Sequence, residues 1–183
     1  TAAAATWDDI EIHFRGTVTR STGHRFSGLE RRALLELLAA RAQALGVELL
    51  VGHEILRPEQ CVKADLIVAA DGASSLLREH LSDQFRPHID WRRNRFVWLG
   101  TTRPFPAFTF YFKASPAGLW RAHAYQYAPG RSTFIVETTD ETWQTTGLTE
   151  NDEPATVAYL GDLFREELQG HPLLANRSIW RRF

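Results

Sequence analysis

The sequence predicts an α+β fold in two parts, an α/β portion first and an antiparallel sheet with a helix second. Three observations predict it. Residues 65 to 78 read Asp-Leu-Ile-Val-Ala-Ala-Asp-Gly-Ala-Ser-Ser-Leu-Leu-Arg, an apolar, β-branched run that stops on Asp71-Gly72 and passes into a helix start. Three segments between residues 108 and 138 alternate side-chain character and are parted by Pro/Gly turns, as in an antiparallel meander. Two further stretches, after residue 30 and after residue 152, carry apolar residues at helical spacing.

The elements can be justified in chain order. Ile10, Ile12 and Phe14 alternate with polar residues, Gly16 interrupts and Val18 resumes, which predicts a hairpin. Ser27-Gly28-Leu29-Glu30 has the form of a capping box with Ser27 as N-cap. The helix it would open carries Leu34, Leu38, Ala42 and Leu45 on one stripe and stops at Gly46. Val47 to Val51 reads as a short strand, and His53 to Lys63 as a β-connection. Leu66 to Ala70 has the length and composition of a strand buried on both faces. Beyond Asp71-Gly72, Ser74 or Ser75 caps a helix opening with Leu76, Leu77 and Arg78.

The character changes after residue 88. Phe108, Phe110 and Phe112 alternate with Thr109, Tyr111 and Lys113. Ser115 to Gly118 and Pro129-Gly130 are turns, so Leu119 to Tyr127 and Ser132 to Thr138 complete three strands. A last helix is expected from about Glu153 to Leu168, capped by Asn151 or Asp152, with Val157, Leu160, Phe164 and Leu168 on its buried stripe. The division expected is residues 1–87 and 88–183.

Composition excludes several classes. With 183 residues, 44% hydrophobic and 23% charged, the chain is globular. A net charge of −1 gives no field toward nucleic acid or anionic membrane, and no apolar run is long enough to span a bilayer. The single cysteine, Cys61, cannot form an internal disulfide and fits the reducing cytoplasm. The seven histidines lack metal-ligand spacing, and no Gly-x-Ser-x-Gly elbow occurs. There is no methionine, and no two of the twelve glycines form Gly-x-Gly. The chain therefore reads as an internal piece of a larger enzyme, with the remainder of its own polypeptide as a partner.

Asp71, Gly72, Ser75 and Arg78 together make Asp-Gly-x-x-Ser-x-x-Arg after an apolar strand. The motif resembles the Asp-Gly motif of the class A flavoprotein monooxygenases, the para-hydroxybenzoate hydroxylase fold. That resemblance implies FAD and NAD(P)H as cofactors, with Asp71 and Gly72 at the cofactor and Arg78 bracing the loop. Arg31-Arg32-Ala33-Leu34 is similar to an Arg-x-x-Leu arrangement of the family near the flavin, which implies a cofactor role for Arg31. Arg32 reads as a solvated arginine. Three longer segments, Ile12 to Gly28, Arg95 to Phe112 and Phe134 to Gly147, resemble the branch that hydroxylates salicylyl-CoA and anthraniloyl-CoA. An aromatic substrate, as an aryl-CoA thioester, is what that likeness implies.

Trp91-Arg92-Arg93-Asn94-Arg95 is a basic run in which Arg92 and Arg95 could meet the phosphates of a CoA tail. Arg121, His123 and Tyr125 share one face of the middle meander strand and could line a substrate pocket. No catalytic residue can be named, because in such hydroxylations the cofactor carries the chemistry while the protein orients the ring and excludes water. Two other readings of the same residues stay open. One is a non-catalytic small-molecule binding module, and the other is a reductase or halogenase of the same fold.

Overall fold

In the computed structural model, which describes residues 4–182, the alternation of Ile10, Ile12 and Phe14 becomes one strand of a large mixed sheet. The chain opens with β1 (Ala5–Trp7), β2 (Ile10–Phe14), β3 (Thr17–Ser21) and β4 (Phe26–Gly28). Helix α1 (Arg31–Ala44) follows, then a single 3-10 turn at Pro58–Cys61 and the short helices α2 (Leu76–His80) and α3 (Ser82–Phe85). The second half holds β5 (Asn94–Thr101), β6 (Phe108–Ser115), β7 (Gly118–Ala128) and β8 (Arg131–Thr139). It finishes with α4 (Asp140–Thr145), α5 (Glu153–Leu163), α6 (Arg165–Leu168), β9 (Leu173–Leu174) and β10 (Arg181–Arg182). The α+β class expected from the sequence is what forms.

Two units result, one of residues up to Leu37 and from Trp91 onward, the other of Leu38–Asp90. One boundary between the units falls between Asp90 and Trp91. The first 37 residues, however, group with the second part instead of the first, which departs from a division into 1–87 and 88–183. The reason is pairing: β2 adds in parallel to β6, with Ile10, Ile12 and Phe14 opposite Phe108, Phe110 and Phe112.

In the first unit the sheet order is β10-β5-β8-β7-β6-β2-β3, antiparallel except for β2 and β6, with β9 also on β5. One face carries Val97, Leu99, Tyr111, Trp120, Ala122, Ala124, Phe134 and Val136, and against it lie Leu160, Phe164 and Leu168 of the last helical segment with Trp143 and Trp180. Burying each such large side chain contributes about 1.5–3 kcal/mol. The two innermost indoles find acceptors, Trp120 Nε1 at Ser115 Oγ (3.0 Å) and Trp180 Nε1 at Thr156 Oγ1 (2.9 Å). Asp152 caps α5 by accepting from the Ala155 amide at 3.0 Å. The single helix expected to Leu168 is broken at Phe164, whose backbone leaves helical geometry while its ring stays fully buried.

Three local expectations are corrected. Ser27 is not a helix cap, because its backbone lies in a ladder opposite Thr6 and α1 starts four residues later. Val47 to Val51 and Leu66 to Ala70 are not strands. A strand needs a neighbour to take its amides and carbonyls, and among the described residues none lies alongside either segment. Leu66, Ile67 and Val68 are accordingly exposed, as are Leu34, Leu38 and Leu45 of the α1 stripe. The α1 stop is as expected, with Gly46 at φ 80°.

Candidate functional site

Helices α4 to α6 pack on one face of the sheet in the first unit, and β-strand alternation sends a second set of side chains to the other face. In register across that face stand Ile12, Phe110, His123, Ile135 and Trp98. One row along are Phe14, Phe112, Arg121, Glu137 and Phe96. Phe108 lies 5.1 Å from Phe110, 5.2 Å from Tyr125 and 5.9 Å from His123, ring centre to ring centre. The small sheet β1–β4 adds two more rings, Trp7 at 5.6 Å from Tyr125 and Phe26 at 5.2 Å from Phe108. The Trp7 indole N–H is buried and finds no acceptor among the described residues. Gly28 is what lets Trp7 sit there, since a Cβ at that position would come 2.8 Å from its ring. The result is an aromatic wall with polar groups at one end.

Those polar groups form a set. Glu137, only 8% exposed at its side chain, accepts from the Arg121 guanidinium and lies 3.7 Å from His123 Nδ1. Burial, and then the nearby Arg121 charge, push the His123 imidazole down from 6.5 to about 4, so it is neutral near pH 7. Sequence reasoning placed Arg121, His123 and Tyr125 together on this face, and the structure does bring them together. It missed Phe108, Phe110, Trp7 and Glu137 as members. A lone carboxylate inside the apolar run Phe134-Ile135-Val136-Glu137 was the signal available for the last.

The second unit holds the Asp71 loop. Ser75 caps α2, its Oγ accepting from the Arg78 amide at 3.0 Å, and the Arg78 guanidinium reaches back to the Ala73 carbonyl. Asp71 Oδ2 accepts from the Leu76 amide at 2.9 Å. Hydrogen bonding from Ser75, then from backbone amides including Leu77 and Leu76, holds the Asp71 carboxyl below its ordinary value. Gly72 has φ 85° and nothing within 4 Å of where a Cβ would stand, so a ligand can approach the backbone closely. An open depression of about 480 Å³ adjoins, lined by Ile67, Val68, Asp71, Ser74 and neighbouring residues. A carboxylate beside bare backbone is a donor-accepting surface that fits the hydroxyl-bearing part of a dinucleotide cofactor.

The remaining site residues divide. Arg31 is the first residue of α1 and exposed, in a different unit from Asp71. Arg32 pairs with Glu36 at 2.9 Å, one helical turn on. Arg92 is exposed. Arg95 is corrected: it is buried, donates to Asp140 and to Glu150, and lies over Trp143. Its donors serve the fold, so it has no charge to offer a CoA phosphate. Among the described residues no cluster of His, Cys, Asp or Glu could hold a metal ion, and no helix is long and apolar enough to cross a membrane.

No family model matches the chain. It is 38% identical over 185 residues to a salicyloyl-CoA 5-hydroxylase of Streptomyces sp, covering 97% of this chain and 36% of that protein. It is 34% identical to the 3-hydroxy-4-methyl-anthranilyl-[aryl-carrier protein] 5-monooxygenase of Streptosporangium sibiricum, covering 97% and 46%. To the protodeoxyviolaceinate monooxygenase of Chromobacterium violaceum the identity is 31%, covering 94% and 47%. The chain thus spans less than half the length of each of these curated relatives. Among solved structures, PqsL of Pseudomonas aeruginosa, a probable FAD-dependent monooxygenase, superposes with a TM-score of 0.59 at 16% identity. That superposition covers 99% of this chain and 56% of PqsL, a likeness of fold.

Proposed function

We propose, because this chain belongs to the class A aromatic monooxygenase family, that it forms the central portion of an FAD-dependent enzyme hydroxylating an aromatic ring with NAD(P)H and O2. The substrate in this reading is an aryl thioester, since two of the relatives are named for substrates on CoA or an aryl-carrier protein. A cytoplasmic location belongs to the same reading. The observation that carries it is the half-buried aromatic sheet face bearing Phe108, Phe110, His123 and Tyr125. A surface of that kind fits a planar ring.

The residues divide the work. Asp71 would accept from cofactor hydroxyls, Gly72 would allow the close approach, and Ser75 and Arg78 hold the loop in shape. Arg31, at a helix start where backbone amides already favour anions, would meet a phosphate. Bound FAD would supply the redox chemistry, linking oxidation of NAD(P)H to transfer of one oxygen atom of O2 to the ring. Phe108, Phe110 and Tyr125 would orient that ring and exclude water, which is the protein's share of such chemistry. Arg92 would offer charge to the tail of a thioester.

The test uses the intact enzyme that contains this chain. Asp71→Ala should weaken FAD binding to the apoenzyme by roughly ten- to a hundred-fold, the scale of one charge-assisted hydrogen bond. Salicyloyl-CoA should stimulate NAD(P)H oxidation, and Phe110→Ala with Tyr125→Ala should remove the stimulation. An enzyme that binds no flavin and oxidises no NAD(P)H in the presence of any aryl thioester would overturn the reading.

A further inference from the structure

Arg121 is set among the rings of the central strands, while Arg131, paired with Glu30 at 3.6 Å, stands at the end of β8, and Arg15, over Phe14 at 5.1 Å, and Arg181, in register with Phe96, stand toward the two edges. Arg181 is three strands from Arg121, roughly 14 Å at ordinary strand spacing. A free Arg121 would make this face a receptor for an aromatic carboxylate, because guanidinium and carboxylate match in charge and geometry. The structure gives Arg121 a partner of its own. The Glu137 side chain is 8% exposed, whereas that of Arg121 is 43% exposed. A buried carboxylate is tolerated only when paired, and its pairing is with Arg121.

Resting on the reading of this face as a ring-binding surface, we propose that Glu137 is a specificity-determining residue: by engaging Arg121 it turns away rings bearing a free carboxylate and leaves the face matched to rings with uncharged substituents. An incoming carboxylate would have to share one guanidinium with Glu137, and like charges at such distances repel strongly. A carboxyl group tied up as a thioester, ester or amide meets no repulsion. His123 completes the match. Its Nδ1 is beside Glu137, and its Nε2 has no hydrogen-bond partner among the described residues, so a neutral imidazole offers that atom to a ring hydroxyl or amino group.

The experiment is equilibrium binding to the intact, FAD-loaded enzyme by calorimetry, using salicylamide and salicylate. The two probes share ring and hydroxyl and differ in carboxyl charge. Wild type should bind salicylamide tighter than salicylate by roughly tenfold or more, the scale of one charge-assisted contact. Glu137→Gln should raise salicylate affinity by about tenfold and change salicylamide affinity by less than about threefold, since only the former meets the released Arg121. Glu137→Asp keeps the charge but shortens its reach, and should give an intermediate gain if Glu137→Gln does not fold. Equal binding of both probes by wild type, or no gain for salicylate in either variant, overturns the role of Glu137. Failure of wild type to bind either probe overturns the ring-binding reading of the face itself, a separate outcome.

Discussion

Arg95 lies over the Trp143 ring, its guanidinium carbon 3.9 Å from the ring centre, while its nitrogens donate to Asp140 and to Glu150. One side chain on β5 thereby ties down α4 and the segment leading to α5. The hydrogen bond from Arg95 is the main reason the Asp140 carboxyl titrates below its ordinary value. Arg95→Met should therefore destabilise the protein by about 2–3 kcal/mol. That is below the 3–5 kcal/mol of breaking a fully buried pair, because Asp140 and Glu150 keep access to water at 20% and 55% exposure. Urea unfolding of wild type and variant checks it, and an unchanged midpoint would show that the pair is incidental.

Gly28 controls where Trp7 can sit. A Cβ there would meet the Trp7 ring at 2.8 Å and the Tyr127 Cα at 3.3 Å, so either the indole or two strands must shift. Gly28→Ala should cost about 1–3 kcal/mol, the range for overpacking a close contact. It should also move Trp7 off Tyr125, which a change in the part of the tryptophan emission that Trp7→Phe removes would report. Stability and emission both at wild-type values would mean that the contact relaxes freely.

The imidazole of His123 gives a pH dependence whose sign follows from its depression from 6.5 to about 4. As pH falls, the unfolded chain takes up this proton first. Stability is therefore full above pH 6.5, is lost between 6.5 and about 4, and levels off below. Across that window the loss is on the order of 3 kcal/mol, since a tenfold change in proton affinity is worth about 1.4 kcal/mol. The carboxyls of Asp9, Asp71 and Asp140, all held below 3.8, lose their contributions only at lower pH, so the windows separate. His123→Gln should flatten the stability profile between pH 6.5 and 4 and leave the acid limb below it. A profile already flat there in wild type would contradict the burial of this ring.

The meander was legible because alternation is a local signal. Phe108-Thr109-Phe110-Tyr111 and Leu119 to Tyr127 declare their two faces whatever surrounds them. Strand β5 was less so. Phe96-Val97-Trp98-Leu99 is apolar throughout, although Val97 and Leu99 are core while Trp98 is on the open side. The basic run before it drew Arg95 toward a ligand role, when the residues that satisfy it, Asp140 and Glu150, are 45 and 55 positions away. Leu66 to Ala70 erred the other way. Composition suits it to a strand, but a strand exists only where another offers a ladder.

Sequence alone determined the α+β class, the turn at Asp71-Gly72 with a serine cap at 74 or 75 behind it, and the shared face of Arg121, His123 and Tyr125. Each depends on spacing within a few residues, which backbone geometry translates directly into direction. Only the tertiary structure decided that β2 joins β6 in parallel, that Arg95 is consumed by the fold, and that Glu137 neutralises Arg121 on the aromatic face. Those outcomes depend on which distant strand supplies the neighbour, and a charge acquires its role from the partner that tertiary pairing places beside it.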